Sequence, residues 1–133
     1  MDAADAIRSR RTWKCFDDQP LTVGELEELF DLARWAPNHK LTQPWRSCAP
    51  AEVAAATTAT AIAAYIVLLA AADRGLAGYW RTPEVLRDNR GTAALGIGPD
   101  EDVLGLLHLG HPAGRTPAQP ARTATDDFVS YLD

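Results

Sequence analysis

Cysteine is nearly absent: Cys15 and Cys48 are the only two in 133 residues, and they share no paired spacing. That excludes a disulfide framework and a thiolate zinc site. The histidines His39, His108 and His111 do not make good the deficit. The His-x-x-His spacing of the last two falls at a strand end, not on one helical face, so no metal is expected. Ser-His-Asp and paired-carboxylate constellations are also missing, which leaves no self-sufficient hydrolytic site. Positive charge runs short, with 13 Lys and Arg against 18 Asp and Glu and a net charge of −5. Basic residues do not interleave with aromatics beyond one short cluster, so nucleic acid is not an expected partner. The N-terminus lacks the apolar core of a signal peptide, which gives a cytoplasmic expectation. No internal repeat is visible.

The absence of a membrane span needs more argument. Residues 53–72 carry no charge, and their length would suffice to cross a bilayer. The stretch is mostly alanine, however, broken by Thr57, Thr58 and Thr60, with strong apolar residues only at Ile62 and Ile66 to Leu69. A helix apolar all round also suits the centre of a soluble protein, and burial is the expectation here. The 47% hydrophobic and 23% charged content agrees with a globular chain. The length allows one domain, residues 1–133.

Residues 2–10 read as a short helix. Thr22 with Glu25 forms a capping-box pattern that opens a second helix. Its apolar stripe is Leu26, Leu29, Phe30 and Ala33, at i, i+3, i+4 and i+7. Residues 45–48 would start a strand. The alanine-rich helix is expected over 53–74, with Gly75 as its left-handed terminator. Residues 76–80 read as a strand and 83–89 as a short helix opened by Pro83. Residues 103–109 read as a strand apolar on both faces and fully buried. Beyond His111 the chain is rich in Pro, Thr and Arg, so residues 113–133 are expected to form an extended arm. Phe128, Val129, Tyr131 and Leu132 near its end suit docking on a partner subunit.

Three stretches carry the chemistry. Residues 36–45, APNHKLTQPW, follow the second helix. Pro37 cannot continue that helix, so the chain becomes a stiff connector displaying Asn38, His39, Lys40, Thr42 and Gln43. Such connectors often carry binding groups, although local chemistry alone favours an ordinary helix-to-strand loop. Residues 8–16, RSRRTWKCF, gather Arg8, Arg10, Arg11 and Lys14 within seven positions. Arginine forks beside the Thr12 hydroxyl suit phosphate oxygens; the same cations also suit a solvated helix end. Residues 75–83, GLAGYWRTP, place Trp80, Arg81 and Thr82 together. Here the plain alternatives are core packing for Trp80 and a weak surface ion pair for Arg81.

In this order, and with DVLGLLHLGHP at residues 102–112, these segments resemble the FMN-dependent nitroreductase family. The subgroup they resemble carries His and Lys before Gln-Pro-Trp. Leu41 departs from the Asn that many relatives have at that place. The resemblance implies an α+β fold, an α/β sandwich in which a central sheet is flanked by helices and a C-terminal arm reaches the other subunit of a homodimer. It also implies FMN as cofactor, with contacts from Arg10, Arg11, Thr12, Trp35, His39, Trp80, Arg81 and Thr82. The Arg-Arg-Thr and Trp-Arg-Thr elements would meet the FMN phosphate. No residue is assigned as an acid or base catalyst.

The family normally places several helices and a core strand between Gln-Pro-Trp and the long central helix. Here Arg46 runs almost directly into that helix, so the resemblance implies that an internal segment after about residue 47 is lacking. The resemblance implies an oxidoreductase that uses NAD(P)H to reduce a small-molecule electron acceptor of nitroaromatic or quinone type. The alternative is a non-catalytic FMN-binding or storage protein, or a degenerate truncated homologue.

Overall fold

The computed structural model describes residues 2–36, 53–122, 124 and 127, with the backbone alone at 53–56. Helix α1 (Ala3–Ser9) is opened by Asp2, whose carboxylate accepts from the Asp5 backbone N–H at 2.8 Å. Helix α2 (Val23–Ala33) has the full capping box. Glu25 N–H donates to the Thr22 hydroxyl at 3.2 Å, and the Glu25 carboxylate accepts from the Thr22 N–H at 2.8 Å. Two orphan helix donors are thereby satisfied. The expected stripe is only partly buried. Leu29 is fully enclosed and Ala33 packs against the core, but Phe30 stays 53% exposed. Leu29 and Phe30 are adjacent residues about 100° apart around the helix, so one contact face cannot cover both.

Helix α3 (Val53–Asp73) is the hub. Apolar around its circumference, it packs against α1, α2 and the first strand, burying Ala59, Ala63, Val67, Leu68, Ala70 and Ala71. No helix among the described residues is long and apolar enough to cross a membrane. The helix ends as its sequence predicts, with Gly75 at φ 71°. Gly75 N–H donates to the Ala72 carbonyl at 3.1 Å, and Leu76 N–H to the Ala71 carbonyl at 2.8 Å. That is a Schellman closure, accompanied by burial of Leu76 against Ala71.

Strands β1 (Ala77–Arg81) and β2 (Leu106–Gly110) are antiparallel, with Ala77 opposite Gly110, Tyr79 opposite His108 and Arg81 opposite Leu106. The expected strand at 103–109 needs correction twice. It begins three residues later, and of its residues only Gly110 is buried, while Leu106 is 40% exposed. Among the described residues β2 pairs with β1, and helix α3 packs against β1; antiparallel sheets commonly bury one face, which suits a half-exposed strand. Between the strands, the predicted helix at 83–89 is a 3₁₀ helix (Glu84–Arg87), followed by helix α4 (Asn89–Ala94). Asp88 separates them, leaving helical geometry so that its carboxylate can accept from the Arg90 N–H at 2.9 Å.

Two isolated bridges tie the N-terminal segment to the sheet: Thr12 with Gly78, and Phe16 with Pro112. The second is flanked by Asp17 N–H donating to the His111 carbonyl and Ala113 N–H to the Cys15 carbonyl. The start of the predicted arm thus lies on the chain's own N-terminal segment. Residues 114–122 form no helix or strand. Phe128, Val129, Tyr131 and Leu132, the predicted strand at 45–48 and the junction after residue 47 lie outside the described residues.

Candidate functional site

The basic segment is placed by an abrupt end to α1. Arg10 N–H still donates to the Ala6 carbonyl at 3.0 Å, but Arg10 has already turned to φ −54°, ψ 130°. The next residues are extended, and Trp13 N–H donates to the Gly78 carbonyl at 3.2 Å. Gly78 is what allows β1 to sit so close to α3. A Cβ there would fall 2.6 Å from the Leu68 side chain. Basic segment, central helix and strand therefore meet at one place, and the Trp80–Thr82 element begins two residues beyond it.

The individual side chains differ in their commitments. Arg11 is largely occupied, its Nη1 donating to the Arg8 carbonyl at 2.6 Å and the Arg10 carbonyl at 3.0 Å. It serves as a side-chain cap for carbonyls that the end of α1 leaves open. Arg10 is half-buried, with its guanidinium carbon 5.8 Å from the centre of the Tyr65 ring. Its Nε is enclosed and has no hydrogen-bond acceptor among the described residues. Buried donors normally find partners, so this one is an exception that calls for an acceptor. Thr12 is exposed beside Gly78.

On β1, Trp80 is half-buried, and a Cβ on Gly105 would lie 2.1 Å from its indole nitrogen. The connector before β2 can pass Trp80 only because that position has no side chain. Thr82 donates from its hydroxyl to the Leu104 carbonyl at 3.1 Å, pinning the exit of β1 to the same connector. Arg81 is exposed. Lys14 extends the positive charge, with Nζ 5.8 Å from the Tyr79 ring centre, and Tyr79 stacks on His108 at 5.7 Å.

Trp35 stands apart. It follows α2, is 73% exposed, and meets the Arg34 guanidinium at 5.7 Å from its ring centre. No recorded contact among the described residues joins it to the basic cluster. His39, with the rest of the Asn-His-Lys and Gln-Pro-Trp run, lies outside the described residues. Among the described residues, no three His, Cys, Asp or Glu side chains are gathered as a metal ion would require. Sequence reading missed Tyr65, because nothing in a helix of alanines announces that one aromatic faces a cation 55 positions earlier. It also considered His108 only as a metal ligand, whereas its Nε2 is enclosed without a partner among the described residues and its ring stacks on Tyr79.

The Glu25 carboxyl is held below the usual carboxylate range, first by the Thr22 backbone N–H and then by the Thr22 hydroxyl. Desolvation opposes these, and His111 adds a still smaller attraction.

The family model described as "Nitroreductase family" matches residues 7–49. YfhC of Bacillus subtilis strain 168 is 40% identical over 42 residues, which are 32% of this chain and 22% of that protein. The matched stretch thus spans about a fifth of the length of the curated relatives. Among solved structures, a nitroreductase-like family protein from Bacillus cereus superposes with a TM-score of 0.86 at 20% identity, covering 99% of this chain and 96% of that one. The FMN and NADPH-dependent nitroreductase NfnB of Sphigopyxis sp. strain HMH, in a mutant form, gives 0.83 at 15% identity, covering 98% and 99%. The α+β fold is therefore nitroreductase-like, as the sequence resemblance implies.

Proposed function

We propose, from a nitroreductase-like fold whose residues 7–49 match that family, that the protein is an FMN-dependent oxidoreductase of nitroreductase type. NAD(P)H would be the reductant, and a nitroaromatic or quinone-like molecule the acceptor. The observation that carries the reading is Arg10 Nε, an enclosed donor without an acceptor among the described residues, at the meeting point of the basic segment, α3 and β1. A phosphate monoester is an acceptor of the right chemistry, since charge-assisted bonds from a guanidinium to phosphate oxygens are among the strongest available. The donor set fits the phosphate end of FMN.

Bound FMN would supply the hydride and electron chemistry, which explains why no acid–base constellation is needed. Arg10 and Thr12 would hold the phosphate, with Arg81 and Thr82 at the end of β1 as a second Arg-hydroxyl pair. Arg11 contributes mainly by fixing the turn that aims Arg10. Trp35, His39 and Trp80 are retained as cofactor contacts on the strength of the sequence resemblance. The protein is further proposed to be a cytoplasmic homodimer in which the 113–133 arm packs on the partner. The exposed Phe30 and Trp35 side chains support association.

The test is direct. The purified protein, incubated with FMN and desalted, should stay yellow and bleach anaerobically on addition of NAD(P)H. A yellow protein that does not bleach would leave only flavin binding. A colourless protein that cannot be reconstituted would remove the reading altogether.

A further inference from the structure

Tyr65 lies on the outward side of α3, 38% exposed, in a helix otherwise built from small and aliphatic residues. Nothing about core packing requires an aromatic ring there. What the ring does meet is the Arg10 guanidinium, at 5.8 Å from its centre. Arg10 is fixed at its backbone by closing α1 onto Ala6, and α1 packs on α3. Its side chain is therefore held at both ends, by a helix cap and by a ring face. A cation above a tyrosine face is attracted by the ring quadrupole, and that attraction leaves the N–H donors in the guanidinium plane free. The enclosed Nε, without an acceptor among the described residues, fits the same picture, because a freely solvated arginine would turn that donor to water.

From this geometry we infer that Tyr65 is a positioning residue: it pre-sets Arg10 for the flavin phosphate without itself touching the ligand. The inference rests on the proposed FMN site and deepens it. Holding a flexible arginine in its bound orientation lowers the ordering cost of binding, so the benefit belongs to the phosphate and not to the flavin ring. Phenylalanine has the same ring face, whereas leucine fills similar space without it.

The experiment compares dissociation constants for FMN and riboflavin, by flavin fluorescence, in the wild type, Tyr65→Phe, Tyr65→Leu, Arg10→Ala and the Tyr65→Leu/Arg10→Ala double variant. Tyr65→Phe should match the wild type. Tyr65→Leu should weaken FMN by about two- to fivefold, the range for a partly exposed cation–π contact. Riboflavin, which lacks the phosphate, should bind Tyr65→Leu unchanged, and Tyr65→Leu should add nothing once Arg10 is alanine. Equal losses for FMN and riboflavin would reduce Tyr65 to a structural residue and overturn the inference. So would unaltered FMN affinity in Tyr65→Leu where Arg10→Ala weakens it. A wild-type protein that takes up no FMN would overturn the functional reading together with this one.

Discussion

At the scale of single residues, the arginines divide by what already holds them. Arg11 spends its Nη1 on carbonyls of its own turn, while Arg10 keeps an enclosed donor open. Removing Arg10 should therefore cost more FMN affinity than its exposure suggests. In the Arg10→Ala/Arg81→Ala variant, each lost charge-assisted contact should weaken FMN by about 1.5–3 kcal/mol. Titration of the apo-protein measures it, and unchanged retention of FMN would refute the phosphate site. Thr22 offers a test of folding. Thr22→Ala removes the side-chain half of the capping box, leaving its backbone N–H to the Glu25 carboxylate, and should lower stability by about 1 kcal/mol, read as a drop in melting temperature. The deficit should depend on pH. The Glu25 carboxyl is depressed in the folded state, so its contribution is complete above the ordinary glutamate range and lost as pH falls through the folded value. The Thr22 backbone N–H, the larger cause, survives in the variant, so only the hydroxyl's share separates the two proteins, and the gap should shrink slightly as pH falls through the folded value.

Elements are limited mainly by how closely backbones approach. Gly91 in α4 lies where a Cβ would stand 1.9 Å from the Val85 carbonyl oxygen, and a backbone atom cannot swing aside. Gly91→Ala should force the 3₁₀ helix and α4 apart, at a cost of about 1–3 kcal/mol. Gly24 in the first turn of α2 has open space around it and no strained backbone, so Gly24→Ala should stabilise by about 0.4–1 kcal/mol. Parallel urea titrations decide both, with shifts of midpoint in opposite directions. The ion pair between Arg74 and Glu28, which links α3 to α2 at 3.5 Å, is exposed and adds little. Element ends were well marked in the sequence where caps are local. Thr22 with Glu25 and Gly75 needed no tertiary information. Strand β2 was harder, because a run such as VLGLLHL looks the same whether one face or both are covered. Helix α4 was missed although Asp88 had the right chemistry for a cap, since Pro83 drew the reading to a single helix.

For the whole molecule, stability concentrates where α2 crosses α3. Among the described residues, Leu29 and Val67 are the largest fully enclosed side chains, in a cluster with Ala70, Ala71 and Leu76. With so much alanine around it, Leu29 has few large neighbours able to fill a void. Leu29→Ala should lose about 2–5 kcal/mol, a large share of the roughly 5–15 kcal/mol typical of a domain. A denaturation midpoint shifted by less than Gly91→Ala shifts it would show that the core lies elsewhere. What the sequence alone determined was local: the caps, the helix terminator, the alanine-rich hub, and a basic Arg-Arg-Thr run suited to phosphate. These depend on neighbours within a few positions, so periodicity and side-chain chemistry suffice to read them. Only the tertiary structure decided which arginine is free, because that depends on Tyr65 arriving from α3 and on carbonyls that the end of α1 leaves open. It also decided that Thr12 lies beside Gly78, 66 positions away, on a strand that comes close to Leu68 of α3 because Gly78 has no side chain.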